Sequence, residues 1–474
     1  MKNGKTIGQV AGPVAAGLIW SLGVYLQWPE ESRCVLAAAA WMLVWWISEA
    51  VPLGVTSILP IVLFPLMGIA DVAETTAPYG SHYVFLFMGG FLIAIALERW
   101  DLHRRFALNV LVSAGGKPRR LIAGFMFATA ALSMWISNTA TTLMMLPIAM
   151  SVISKIDSER RPRFATALLL GTAYAANIGG IATLVGTPPN VAMAGILEEQ
   201  FLVSVPFLEW MLMATPFSFC LLIIVYWLLT RVLCKVDPED LEGGLQGIRQ
   251  DLKALGSWST AEKRVAVVFS LTGMLWVGRR WLVDVFEWSL NDTTIAIAAG
   301  VSLFLIPAQN DHTAPLLNWK DAQKLPWEIL LLFGGGLTLA NALKEADVLT
   351  SISQTLAQNQ HMSLAALIGI FVVSALLLTE VMSNLALTVV MVPVVGQVAI
   401  QWGVDPLMLI IPVTMASSCA FMLPMATPPN AIIFGSNRIR MSTMAQVGFV
   451  LNLVAAGLAW IWAMLILPKW VEFL

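Results

Sequence analysis

Charge is scarce in this chain. Only 12% of its 474 residues are Asp, Glu, Lys or Arg, while 58% are hydrophobic; an ordinary soluble domain carries about 25% charged residues. With a mean hydropathy of +0.78, this shortage excludes a soluble globular protein and predicts a polytopic membrane protein with its charges in loops. The net charge of −2 then says nothing about partners, and no nucleic-acid partner is expected. Cysteine is scarce too. Cys34, Cys220, Cys234 and Cys419 have neither metal nor redox spacing and read as small apolar fillers. His82, His103, His312 and His361 fall near loops, again without ligand spacing. No nucleophile stands beside a base, so an enzyme is not expected. The 19 tryptophans are expected mainly in interfacial belts.

What the chain does contain is a duplication. Ser137, Asn138, Thr139 and Thr142 return as Ser383, Asn384, Leu385 and Thr388, an offset of 246 residues (383 − 137). Gly89-Gly90 returns as Gly335-Gly336, Ser133 as Thr379 and Pro147 as Pro393 at the same offset. A second motif, Thr187-Pro188-Pro189-Asn190, returns as Thr427-Pro428-Pro429-Asn430, at 240 (427 − 187). Duplicated apolar segments interrupted by proline at corresponding places point to a secondary transporter.

A span needs about 20 apolar residues. Simple spans are predicted near 7–27, 35–50, 53–70, 83–99, 206–231, 264–282, 293–307, 328–345 and 445–467. Segments 121–153 and 363–398 are too long and too polar at the centre, and predict re-entrant hairpins tipped by the Ser-Asn pairs. Segments 163–197 and 406–435 predict spans broken at Pro-Pro. Such backbone survives at membrane depth only inside protein or along a wet cavity. The fold expected is therefore all-α, with about 11 transmembrane helices and two hairpins.

Lys2 and Lys5 precede the first apolar run, but no small-residue cleavage site comes before Glu30, so a retained first span is expected. With the N-terminus cytoplasmic, Arg99, Arg104, Arg105, Lys117, Arg119 and Arg120 fall inside, followed by Lys155, Arg160, Arg161 and Arg163 and later by Arg438 and Arg440. The stretch 346–362 has no Lys or Arg and falls outside. This layout obeys the positive-inside rule and makes the two repeats inverted. It places the C-terminus outside and suggests a bacterial-type inner membrane. The polar linker 235–263, with Asp237, Pro238 and several glycines, separates the repeats.

Thr-Pro-Pro-Asn starts a helix: Thr caps it, and proline has its φ preset and needs no donor. The Ser-Asn tips start the returning hairpin helices. Four helix N-termini can thus converge, and their oriented N–H groups favour an anion. No Lys or Arg lies in any of the four motifs, so dipoles, hydroxyls and amides would hold it. The same breaks leave carbonyls that suit a hard cation such as Na⁺. One oxygen cluster is Ser133, Ser137 and Asn138 with the carbonyl of Gly186; its twin is Thr379, Ser383 and Asn384 with the carbonyl of Ala426. Glu380, well inside a hairpin, is a suspect by its depth alone and reads as a brace for the tip rather than a proton carrier. Glu49 and Glu98 read as interfacial.

On Ser137-Asn138-Thr139, Ser383-Asn384 and the two Thr-Pro-Pro-Asn breaks, the chain resembles the divalent anion/sodium symporter family over nearly its whole length. The resemblance implies a homodimer in the lipid bilayer, working as an elevator with two or more coupling Na⁺ ions. Scaffold helices would be 1–100 and 264–345, and transport-domain elements 121–197, 206–234, 363–435 and 445–474. It implies a small dicarboxylate substrate, such as succinate, malate or fumarate, touching Asn138, Thr139, Thr187, Pro188, Asn384, Thr427 and Pro428. A sodium-independent exchanger, or a sulfate or citrate transporter of the same family, is the alternative. Leu385 departs from the pattern, which often has Thr there, and its lost hydroxyl bears on substrate choice.

Overall fold

In the computed structural model the described residues are 2–155, 162–237, 244–287, 289–310, 314–357 and 362–472. Helices dominate them, and the sole β-type pairing is an isolated bridge between Pro307 and Pro315. The first half runs α1 (Lys2–Tyr25), α2 (Glu30–Ser48), α3 (Leu53–Ser57), α4 (Pro60–Leu66), α5 (Val72–Thr76), α6 (His82–Arg99), α7 (Leu102–Ala114), α8 (Pro118–Ser133), α9 (Asn138–Lys155), α10 (Pro162–Ile181), α11 (Pro188–Phe201) and α12 (Phe207–Trp227). The second runs α13 (Gly244–Ala254), α14 (Thr260–Phe286), α15 (Asp292–Leu305), α16 (Trp319–Ala322), α17 (Trp327–Glu345), α18 (Val348–Ala357), α19 (Leu364–Leu378), α20 (Asn384–Gln401), α21 (Leu407–Ser417), α22 (Pro428–Phe434), α23 (Met441–Leu465) and α24 (Leu467–Val471). Seven helical stretches among the described residues are long and apolar enough to cross a membrane, and shorter apolar helices accompany them.

Both hairpins form where the Ser-Asn pairs predict them, as α8–α9 and α19–α20, and both broken spans form, as α10–α11 and α21–α22. Three expectations need correction. The segment 53–70 is not one continuous helix: Pro60 starts a new helix after a two-residue break and Pro65 lies inside it, because proline removes the N–H that would continue the ladder. Stretches read as loops hold helices, α7 and α18, which follow α6 and α17 and begin 246 residues apart (348 − 102). The linker likewise contains α13; its residues 238–243, with Pro238 and Gly243, lie outside the described residues.

Charges are not confined to loops either. Arg105, Glu262, Asp292, Asp321 and Glu380 are buried, each with partners that offset the cost of burial. Arg105, on α7, bonds the Glu262 carboxylate at 2.7 Å and the Gly256 carbonyl at 2.9 Å, pinning α7 to the start of α14. Arg99 pairs with Asp321, and the Phe207 N–H donates to Asp292 at 2.9 Å. Tryptophans also serve inside: Trp46 and Trp210 are fully buried, and Trp135 at the first hairpin tip stacks on Phe207 and Trp276. Glu49 and Glu98 are exposed, and Cys34, Cys234 and Cys419 are buried without partners in disulfides.

The repeats interlock rather than sit side by side. Gly89 on α6 presses on the backbone of Ala296 in α15, where an added Cβ would lie 2.5 Å from the Ala296 carbonyl carbon. Its repeat partner Gly335 on α17 presses as closely on Ser57 of α3. Hairpin helix α9 packs on half-helix α22, and α20 packs on α11. In each case an element of one repeat uses the other repeat as its wall, which gathers both tips and both breaks into one region.

Candidate functional site

Each hairpin tip forms one oxygen pair. Ser133, the last residue of α8, donates its hydroxyl to Asn138 Oδ1 at 2.6 Å. Thr379 Oγ1, at the end of α19, lies 2.7 Å from Asn384 Oδ1 and also within hydrogen-bond reach of the Ser417 carbonyl, with one proton shared between the two acceptors. Ser133 and Thr379 are fully buried, while Asn138 and Asn384 keep partial exposure. A buried hydroxyl thus stands behind a half-open amide in both repeats. Ser137 caps α9 by accepting the Ala140 N–H at 3.2 Å; Ser383 occupies the same place before α20 without a side-chain cap bond.

The first break reaches this pair through Gly180. A Cβ there would lie 2.5 Å from Asn138 Oδ1, and a Cβ on Gly186 would lie 2.5 Å from the Gly180 carbonyl oxygen. Ser133, Asn138 and Gly186 are therefore brought together, with Gly180 between the last two. Ala426 lies in the second break, buried, its N–H donating to Leu423. Thr187 and Thr427 are 3% exposed in extended conformation before their half-helices. Pro188 and Thr139 are half-buried, Pro428 is exposed. The half-helix after Thr427 is short, ending at Phe434.

Leu385 is 4% exposed. Its side chain lines a space of about 10 Å³ with Pro188 and with Val84, Phe87, Leu330 and Phe333 of α6 and α17. That is room for about one water. The hairpin tip and the first break thus close directly against α6 and α17. Polar bonds tie α11 to the same two helices: the Tyr83 hydroxyl donates to Glu198 at 2.7 Å, Asn341 to Glu199 at 3.2 Å, and Lys344 to the Gln200 carbonyl at 2.8 Å.

The break carbonyls are less free than the sequence suggests. Asn190 Nδ2 shares its two protons among the carbonyls of Gly180, Ile181 and Thr183, at 3.1, 3.1 and 2.8 Å, and Trp210 donates to Ile181 as well. Asn430 Nδ2 donates to Ala420 and Leu423, both at 3.1 Å. The final Asn of each Thr-Pro-Pro-Asn motif therefore staples its own break shut. A carbonyl has a second lone pair, so these oxygens can still face a cation.

Glu380 is a brace by geometry. Its Oε1 accepts the N–H groups of Phe421 and Met422 at 2.9 Å each and Asn452 Nδ2 at 2.7 Å, and its Oε2 accepts the Leu423 N–H at 2.9 Å. The first repeat makes the equivalent contact with the roles exchanged: Thr183, at the place of Leu423, donates its hydroxyl to the Met134 carbonyl, at the place of Glu380. In both repeats the hairpin turn is thereby fixed to its break. Asn177, Gly180 and Asn452 lie outside the motifs, and Asn190 and Asn430, though they end the two Thr-Pro-Pro-Asn motifs and recur at 240 residues, were not among the predicted site residues.

No group of three or more His, Cys, Asp or Glu able to hold a metal occurs among the described residues. His82 Nε2 lies 3.6 Å from the Glu198 carboxylate, and a ring nitrogen of His103 lies 2.9 Å from the Leu97 carbonyl; His312, His361, Arg160 and Arg161 lie outside the described residues.

Broken helices and hairpin tips that meet inside an apolar helical body fit a membrane transporter. The family model for the sodium:sulfate symporter transmembrane region matches residues 6–472, and the chain belongs to the divalent anion/sodium symporter family. A sodium-dependent dicarboxylate transporter, SdcS, of Staphylococcus saprophyticus is 37% identical over 464 residues, covering 95% of this chain and 89% of that protein. The SdcS of Staphylococcus aureus is 38% identical over 464 residues, covering 96% and 89%. Among solved structures, the Alcanivorax borkumensis YdaH transporter superposes with a TM-score of 0.58 at 14% identity, over 85% of this chain and 87% of that one. Neisseria gonorrhoeae MtrF gives 0.56 at 11%, over 86% and 85%. At these identities the structural likeness concerns the fold.

Proposed function

We propose that this protein is a Na⁺-coupled symporter of a C4-dicarboxylate such as succinate, malate or fumarate in the bacterial cell membrane. The observation that carries the reading is the duplicated oxygen pair, Ser133 with Asn138 and Thr379 with Asn384, each set beside a broken helix. Two clusters of hydroxyl, amide and carbonyl oxygens suit a hard cation each; two or more Na⁺ would bind at Ser133, Ser137, Asn138 and Gly186 and at Thr379, Ser383, Asn384 and Ala426. The dianion would lie between them, on Asn138, Thr139, Thr187, Pro188, Asn384, Thr427 and Pro428, with Leu385 at its margin. Neither ion is stable alone at low dielectric, and that mutual dependence is the coupling. The names of the staphylococcal relatives support both ions.

The mechanism we infer is an elevator in a homodimer. Elements 121–197, 206–234, 363–435 and 445–474 would move against 1–100 and 264–345, with inverted repeats, the N-terminus cytoplasmic and the C-terminus outside. The bonds of Glu198, Glu199 and Gln200 to α6 and α17 would break in each cycle.

Uptake of radiolabelled succinate into proteoliposomes tests the coupling. An inward Na⁺ gradient is expected to drive accumulation that falls to background when choline replaces Na⁺. Uptake that persists in choline, and depends on dicarboxylate inside the vesicle, would instead establish an exchanger. Competition by sulfate or citrate at concentrations where malate competes would reject the C4 assignment.

Leu385→Thr is expected to change the competitor profile. It removes an apolar wall opposite Pro188 and adds a hydroxyl, and a hydrogen bond to a carboxylate is worth about 1.5–3 kcal/mol. Inhibition by citrate or another larger anion should improve roughly tenfold. An unchanged competitor profile would remove Leu385 from the site.

A further inference from the structure

We propose that Asn177 is a positioning residue that fixes the Thr427 hydroxyl as a donor to the substrate, so that this half of the site reads only acceptor groups. The inference rests on the reading of Thr427 as a substrate contact and extends it to a residue outside every motif. Asn177 is fully buried on α10, in the first repeat. Its Nδ2 lies 3.1 Å from Thr427 Oγ1 and 3.5 Å from the Ala420 carbonyl oxygen, both in the second repeat. The Ala420 carbonyl can only accept, so the network favours the amide with its nitrogen on that side.

The consequence follows from counting lone pairs. A threonine hydroxyl has one proton and two acceptor positions. Thr427 Oγ1 accepts from Asn177 Nδ2 and, at 3.4 Å, from the Asn430 N–H. Both acceptor positions are then occupied, and what the hydroxyl has left to offer is its proton. A carboxylate is acceptor-only and takes that proton; an amide or hydroxyl group approaching with its own hydrogen meets no lone pair. The first repeat lacks this arrangement. Thr187 makes no side-chain cap bond, and the residue equivalent to Asn177, Ser417, bonds Thr388 at 2.9 Å and its own helix instead. One half-site is therefore set for acceptor groups, of which a carboxylate is the strongest, while Thr187 in the other makes no such bond. The arrangement is kept at a cost, since Asn177 Oδ1 is buried with no hydrogen-bond partner among the described residues.

A double-mutant cycle on the full-length protein in proteoliposomes tests this, with succinate KM, Na⁺ half-saturation and inhibition by succinate monoamide as readouts. Thr427→Val should raise the succinate KM about tenfold. Asn177→Leu should raise it several-fold, leave Na⁺ half-saturation unchanged, and narrow the preference for succinate over the monoamide. The double variant should be no worse than Thr427→Val, because Asn177 acts through that hydroxyl. Additive effects, or an unchanged monoamide preference in Asn177→Leu, would overturn the inference and make Asn177 a packing residue. A normal succinate KM in Thr427→Val would instead overturn the substrate site itself. Asn177→Ala gives the same readings if the leucine variant does not fold.

Discussion

Glu380→Gln is expected to cost most of the transport activity and to lower the unfolding temperature of the purified protein. The carboxylate accepts three backbone N–H groups and one amide, arranged around both oxygens. A glutamine must turn its NH₂ toward either the Leu423 N–H or the cluster at Phe421 and Met422, so donor faces donor. A hydrogen bond to a charged acceptor is worth about 1.5–3 kcal/mol, and an unsatisfied buried donor costs about 1–3 kcal/mol. Because Glu380 holds the second hairpin turn to the second break, the damage should appear as a loss of both stability and Na⁺ affinity. Thermal unfolding in detergent and Na⁺-activated uptake check it. A Gln variant that is stable and transports normally but has lost its pH dependence would make Glu380 a proton carrier.

Gly180→Ala is the second large effect. The new methyl would lie 2.5 Å from Asn138 Oδ1 and 3.1 Å from its Nδ2, closer than any ordinary contact. Asn138 has to leave its place against Ser133, and overpacking of this kind costs about 1–3 kcal/mol. If Asn138 is a cation ligand, half-saturation by Na⁺ should rise roughly tenfold or more, with modest change in expression. The second repeat supplies the contrast, because its equivalent residue is already Ala420, and Ala420→Gly should leave Na⁺ activation near normal. Equal Na⁺ activation curves for Gly180→Ala and the parent protein would remove Asn138 from the cation site.

Much of the molecule was legible because proline and glycine act locally. Pro-Pro with a preceding Thr starts a helix wherever it stands, so both breaks could be placed from the sequence. The Ser-Asn tips were legible for the same reason, being polar interruptions in apolar runs that nothing but a turn would explain. Segment 53–70 was misread because its apolar composition hides what Pro60 does to the backbone. Helices α7 and α18 were missed since their residues were read for charge, not for period. Arg105 was read as a loop charge, yet Glu262, 157 positions along the chain, draws it inside.

The sequence by itself determined that the chain is a duplicated, helical membrane protein with two interrupted elements in each repeat, because hydropathy, proline and motif spacing act within one segment. Tertiary structure alone decided which of the polar groups meet. Asn177 finds Thr427 only after the repeats interlock, with α9 on α22 and α11 on α20, and Glu380 finds Leu423 only once the second hairpin folds onto its own break. The physical reason is that a hydrogen bond is decided by distances of about 3 Å, and no local rule of sequence carries that information across hundreds of residues.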